Sequence, residues 1–174
     1  RVFKIEGRAR SAEYVKRVAS AYREAANAVL EGRYTPELAK ELEARVLEVF
    51  NRGFWDGYYQ GAKLGEWSEV YGNKATKKKR YVGKVTNFFA NLSVAEVLIE
   101  TGELKVGDDI LIMGPSTGVM EQKVEEIRTD LNPVEKAVKG EYCSIPVPEG
   151  VRLRRSDKIY LWEEAGTPGK HPLH

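Results

Sequence analysis

Histidine is nearly missing from this chain. Its two copies, His171 and His174, both fall at the far end. A Ser/His/Asp constellation needs an imidazole beside its nucleophile, so the lack of any His before residue 171 argues against a histidine-based hydrolase within the chain. Cysteine is scarcer still. The lone Cys143 excludes an internal disulfide framework and fits a reducing compartment. Together with the two histidines it offers three donors at no recognised zinc spacing, so no metal site is expected. Long apolar runs are also missing, which removes a membrane span, and there is no secretory h-region. Charge of one sign is not in excess: the net charge is +2 over 174 residues. Any anionic partner must therefore be met by local clustering of positive charge.

What is present suits one domain with an appendage, or two small domains. Hydrophobic residues make up 42%, enough for a core, and charged residues 31%, as in a soluble protein. Val2, Phe3 and Ile5 form a short apolar strand signal that runs into a charged turn pivoting on Gly7. Residues 11–31 then read as a helix, with Val15, Val18, Tyr22, Ala25 and Val29 at helical spacing, Ser11 as cap and Gly32 as stop. Thr35 followed by Pro36 starts a second helix that runs to about Phe50, with Leu38, Leu42, Val46 and Val49 on one face. A short turn joins the two as an αα-hairpin.

Residues 51–75 carry five glycines among Phe54, Trp55, Tyr58, Tyr59, Trp67 and Tyr71. They read as an ordered, irregular segment anchored by packed aromatics, with Phe54 and Trp55 buried and Asp56 pairing locally. From Arg80 onward the signals are short strands. Ala95, Val97 and Ile99 alternate with polar neighbours; so do Cys143, Ile145 and Val147, and Ile159 and Leu161. Ile110 and Ile112 follow a Gly107–Asp108 turn, and GPSTG (114–118) reads as a tight turn. Five to seven such strands predict a small antiparallel barrel or sandwich. GPSTG lacks the Gly-Lys-Ser/Thr ending of a phosphate loop. Cys143 lies on an apolar face and reads as a buried structural thiol.

Two charged groups stand out. Lys4 and Glu6 share one face of an extended strand and can pair, while Arg8 and Arg10 suit a carboxylate or phosphate. The alternative is a solvated strand end. Further on, Lys74, Lys77, Lys78, Lys79 and Arg80 run without an intervening carboxylate between Tyr71 and Tyr81, at the predicted hinge between helices and strands. Arg152, Arg154 and Arg155 form a second basic patch. Such clusters hold phosphates, and adjacent rings stack on bases. The alternative is a solvated turn.

The blocks FKIEGRARSAEYV, YREA, NRGFWDGYY, YVGKVTNFF and VGDDILIMGPSTG, in this order, resemble the carboxyl-terminal third of the peptidase U-32 (collagenase-like protease) family over nearly all of residues 2–163. The resemblance implies an α+β chain. Residues 1–50 would be the last strand and helices of an upstream α/β barrel. Residues 51–79 would be a connector, 80–164 a β-barrel similar to the second domain of elongation factor Tu, and 165–174 a disordered tail. It implies that Lys4, Glu6, Arg8 and Arg10 line the catalytic cleft in the full-length protein only, the chain alone being inactive. It implies an accessory, substrate-recognising role toward tRNA or rRNA in an RNA-modifying parent; the rival is a peptidase whose barrel positions protein substrate or mediates self-association. No cofactor is expected in this chain, and an iron-sulfur or metal dependence in the parent. The expected partners are the upstream catalytic domain, RNA and a second copy of the chain, in the cytoplasm.

Overall fold

The computed structural model of the protein describes residues 4–8, 10–49 and 75–165. Val2, Phe3, the aromatic stretch from Phe54 to Tyr71, Lys74, and the tail with His171 and His174 lie outside the described residues. The chain divides into two compact units, Arg1–Lys77 with Glu164–His174, and Lys78–Glu163.

The first unit is built on α1 (Ala12–Leu30) and α2 (Pro36–Leu47). Gly32 ends α1 at φ +70°. Its N–H donates to the Val29 carbonyl (3.3 Å) and that of Arg33 to Ala28 (2.9 Å), the paired bonds of a Schellman turn. Thr35 caps α2, its hydroxyl accepting from the Leu38 N–H at 3.2 Å, with Pro36 in the first turn. Ser11 occupies the equivalent position on α1, but its hydroxyl makes no capping bond; only its carbonyl is used, by the Val15 N–H.

The buried face of α1 differs from the expected stripe. Val15, Tyr22 and Val29 are exposed, and Val18, Ala21 and Ala28 are buried. The helix packs on α2 through alanines, which let two backbones approach, so its inner face centres on small side chains rather than large ones. On α2 the expected stripe is the inner one, with Leu42 buried and Leu38 and Val46 half-buried; the helix stops at Leu47, short of the expected Phe50, and Val49 is buried just beyond it. Ion pairs tie the helices together: Arg17 to Glu48 at 2.9 Å, and Arg45 forked onto Glu24 at 2.9 and 3.2 Å with Glu41 at 3.0 Å. The expected opening strand is absent from its described part. Residues 4–7 have no ladder partner, and Ile5 is exposed; an isolated strand leaves its backbone groups to water.

The second unit is all strand. Its sheet contains β1 (Lys77–Phe89), β2 (Val94–Ile99), β4 (Asp109–Gly114), β5 (Gly118–Lys123), β6 (Ile127–Thr129), β7 (Asn132–Val134), β9 (Tyr142–Pro146) and β10 (Lys158–Glu164). The order is β5-β4-β10-β1-β2-β9-β6-β7, and β3 (Glu103–Lys105) pairs with β8 (Lys136–Val138) in a small second sheet. That is ten strands among the described residues, against five to seven expected. Four of the ten are three residues long, too short for an alternation signal. The expected barrel is not closed: β5 and β7 do not pair with each other, and Pro133 within β7 blunts that edge.

The strands nonetheless share one core. Val82, Val85, Ala95, Val97, Ile99, Leu104, Ile110, Ile112, Ile127, Ile145 and Ile159 are all buried within it. A flat sheet of eight strands would spread over about 34 Å. Gathering its inner side chains into one cluster requires it to curl. A bulge in β1 between Val85 and Asn87 provides one bend, where the Thr86 hydroxyl donates to the Glu96 carboxylate at 2.6 Å.

Candidate functional site

The opening charges come first. Lys4 and Glu6 do pair, at 2.9 Å, with both side chains mostly in water. The Arg10 guanidinium sits 5.3 Å from the Tyr14 ring centre, a cation–π contact. Arg8 is exposed. The four residues lie on an exposed lead-in to α1, where an ion pair contributes little.

The basic run opens a strand, and the boundary between the two units falls within it, between Lys77 and Lys78. Lys77–Arg80 are the first residues of β1, and strand alternation sends them to opposite faces. Their charge is largely engaged within the fold. Arg80 forks onto Glu163, with Nη2 2.7 Å and Nε 3.1 Å from Oε1. That bond holds the Glu163 carboxyl below its ordinary range. Lys79 Nζ lies 5.2 Å over the Tyr160 ring, and Tyr160 meets Tyr81 edge-on with centroids 5.5 Å apart. The Tyr81 hydroxyl donates to Glu100, which also holds Lys84 at 2.6 Å. Burial, and then that bond, push the Tyr81 phenol up to about 12. Tyr81 is thus committed to its neighbours rather than open as a base-stacking platform. Lys77 and Lys78 remain, and Lys74 lies outside the described residues.

Arg152, Arg154 and Arg155 are arranged differently. They stand on the loop between β9 and β10, all exposed, while Leu153 between them is buried and pins the loop to the core. No carboxylate pairs with their guanidinium groups among the described residues. The same unit's other two arginines, Arg80 and Arg128, are each held by a glutamate. The Val85 N–H donates to the Asp157 carbonyl (2.8 Å) and the Ser156 N–H to the Val85 carbonyl (2.9 Å), which fastens the loop's end to mid-β1. Arg80 is five residues from Val85, about 17 Å along a strand. The two basic clusters therefore sit at opposite ends of the β1–β10 ribbon and form no continuous stripe.

The residue that organises this loop escaped sequence reasoning. Asp157 is 2% exposed. Its Oδ2 accepts from the Arg154 N–H at 2.8 Å and from the Thr117 hydroxyl in the β4–β5 turn. Gly114 makes room for it: a Cβ there would lie 1.8 Å from Asp157 Oδ1. GPSTG is thus a hairpin turn whose glycine and threonine receive a buried carboxylate. An acidic residue three positions after Arg154 was the one local signal of the loop bond; nothing local announces Thr117.

An apolar groove on the same unit is lined by Phe89, Leu92, Val94, Leu131, Ser144 and Pro146, with Leu92 and Leu131 strongly exposed. Cys143 is buried, and desolvation pushes its thiol up to about 12, which suits a structural role and not a thiolate ligand. No group of three or more His, Cys, Asp or Glu is poised for a metal among the described residues. No helix among them is long and apolar enough to cross a membrane.

Comparison with known proteins shows what the chain is similar to. Residues 1–69 match the family model described as Peptidase family U32. The chain is 54% identical over 164 residues to a "Collagenase" of Porphyromonas gingivalis, covering 94% of this chain and 39% of that protein. It is 39% identical over 168 residues to an "Uncharacterized protease" of Methanocaldococcus jannaschii, covering 93% and 40%. It is 27% identical over 154 residues to the "tRNA hydroxylation protein P" of Haemophilus influenzae, covering 86% and 32%. The chain thus spans about two fifths or less of the length of these curated relatives.

Proposed function

We propose that the chain is the accessory, substrate-recognising carboxyl-terminal region of a longer U32 protein, and that its strand unit contacts structured RNA. The observation that carries this is the trio of exposed arginines at 152, 154 and 155, with no carboxylate partner among the described residues, on a loop fixed from beneath by Leu153 and Asp157. Guanidinium groups held apart from carboxylates are suited to phosphate oxygens. A relative named for tRNA hydroxylation supports RNA as the polyanion. In the same reading the curled sheet is a barrel similar to the second domain of elongation factor Tu. Lys4, Glu6, Arg8 and Arg10 then face a catalytic cleft completed by other parts of the parent, in the cytoplasm. The described residues do not suit the iron-sulfur or metal group that the family resemblance implies, so that chemistry is assigned to the rest of the parent.

The test is a titration with tRNA at two salt concentrations. Binding at low salt that weakens steeply as salt rises is the expected result. No binding at low salt would sink the reading.

A second reading has its own support. The relative at 54% identity is named a collagenase, and the groove at Leu92 and Leu131 is an apolar surface suited to protein contacts. Here the strand unit positions protein substrate or mediates self-association in a peptidase parent. Its check is gelatin cleavage, and oligomeric state, in the full-length parent carrying Leu92→Glu with Leu131→Glu. Unchanged cleavage and assembly would count against it.

A further inference from the structure

The two basic clusters are not equivalent, and the difference assigns the phosphate contact. Of the described residues in the first cluster, Arg80 is spent on Glu163 and Lys79 on the Tyr160 ring. The second cluster has no such internal partners among the described residues. Its loop contains two carboxylates, Glu149 and Asp157. Glu149 is exposed and pairs with none of the three arginines among the described residues. Asp157 is buried, and its Oδ2 accepts from the Arg154 N–H and the Thr117 hydroxyl instead of pairing with a guanidinium group. A carboxylate that could have neutralised the arginines is instead used to shape the backbone that carries them. The Asp157 N–H returns a bond to the Arg154 carbonyl at 3.2 Å, and Ser156 between them takes φ +71°, a left-handed conformation costly for a residue with a Cβ.

We propose that the 152–155 loop is the phosphate-contacting element of the RNA surface, and that Asp157 is its positioning residue, locking the loop to the β4–β5 turn. The inference rests on the RNA reading above. It adds which element makes the contact and what holds that element in place. Fixing three guanidinium groups in advance removes the cost of ordering long side chains and their backbone when phosphates bind. Asp157 touches no phosphate itself; it acts through the loop.

The experiment measures binding of unfractionated, labelled tRNA by the full chain across 50 to 200 mM KCl, below the melting temperature of every variant. Each phosphate contact contributes roughly 0.7 to 0.9 to the slope of log affinity against log salt. Arg152→Gln, Arg154→Gln and Arg155→Gln together are expected to lower that slope by about 2. Lys77→Gln with Lys78→Gln is expected to lower it by less than about 1. Asp157→Ala is expected to weaken binding about tenfold at 50 mM, and Asp157→Asn, which keeps an acceptor oxygen, to restore most of it. Thr117→Val removes only the hydroxyl's bond and supplies the same comparison should Asp157→Ala fail to fold. Val97→Ala, a core change in β2 outside the loop, controls for lost stability and should leave the slope alone. If wild-type binding is salt-steep but the arginine triple keeps its slope while the lysine pair loses it, the loop assignment falls and the RNA reading stands. If wild type binds no tRNA, the RNA reading falls. If polyglutamate competes as well as tRNA at equal charge, the partner is an acidic protein and the proposal is overturned. Equal binding by Asp157→Ala, Thr117→Val and wild type would remove Asp157 from the argument.

Discussion

In the strand unit Ile99, Ile112, Ile127, Ile145 and Ile159 are shut off from water entirely, whereas the paired helices α1 and α2 bury mainly Val18, Ala21, Ala28 and Leu42, two of them alanines. Burying one isoleucine is worth about 1.5–3 kcal/mol, and an alanine far less. The helices add Arg17–Glu48 and the Arg45 fork, at partly exposed sites where such pairs are worth at most about 1 kcal/mol. Among the described residues, the strand unit therefore stands on a sealed core and the helix pair on a thin contact trimmed with charge. Loops grafted on the first inherit its rigidity. That is why the arginine loop, anchored by Leu153 and Asp157, is better suited to hold fixed geometry than the exposed lead-in bearing Lys4 to Arg10.

Breaking the core should give the largest effect. At Gly83 a Cβ would lie 2.1 Å from the Leu98 carbonyl oxygen, which belongs to the paired strand and cannot rotate away. Gly83→Ala is expected to cost about 4 kcal/mol in denaturant unfolding, by forcing β1 from β2. Next comes Ile112→Ala, which empties a fully buried position for about 3 kcal/mol. A loss below about 1 kcal/mol in either variant would mean that the curled sheet tolerates gaps and that the contrast with the helices is overstated.

Arg45→Ala probes the other side of the comparison. It removes both bonds to Glu24 and the one to Glu41, and is expected to cost about 1 kcal/mol. The loss should shrink in high salt, because the pair is only partly shielded from solvent. The check is thermal unfolding followed by helix signal at low and high salt. A salt-independent loss would mean that the arginine's stem packing, not its charge, joins the helices.

The short-range features were legible in the sequence, and the long-range ones were not. Ala95, Val97 and Ile99 alternate because one face of β2 is sealed and the other is not, so the core of that strand could be read directly. The Thr35–Pro36 start and the Gly32 stop are local chemistry and were equally plain. The α1 face was misread because alanine carries a weak apolar signal, so Ala21 and Ala28 were overlooked beside Val15 and Tyr22. The basic run looked like a turn because its neutralising partners are remote: Glu163 stands 83 residues from Arg80. Asp157 and Thr117 are 40 residues apart and share no pattern. For the candidate site, the sequence supplied the arginines and the fold supplied the reason they are free.

The smallest effect separates the two basic clusters by pH. Arg80 holds the Glu163 carboxyl below its ordinary value near 4.5, chiefly through the hydrogen bond, so the folded state prefers the ionised form. A carboxyl with a depressed folded pKa adds stability that is fully present above the unfolded pKa and fades as pH falls through the folded one. Glu163→Gln should therefore lower the melting temperature slightly at pH 7 and have no effect once the pH is well below 4, where wild type has also lost the pair. The difference should be modest because both side chains are partly solvated. The arginine loop offers the contrast: with no carboxylate partner among the described residues, Arg154→Gln should leave the pH dependence of melting unchanged. If Arg154→Gln instead shifted with pH as Glu163→Gln does, the loop would be paired internally like β1, and its arginines would have no more freedom to meet phosphate than Arg80.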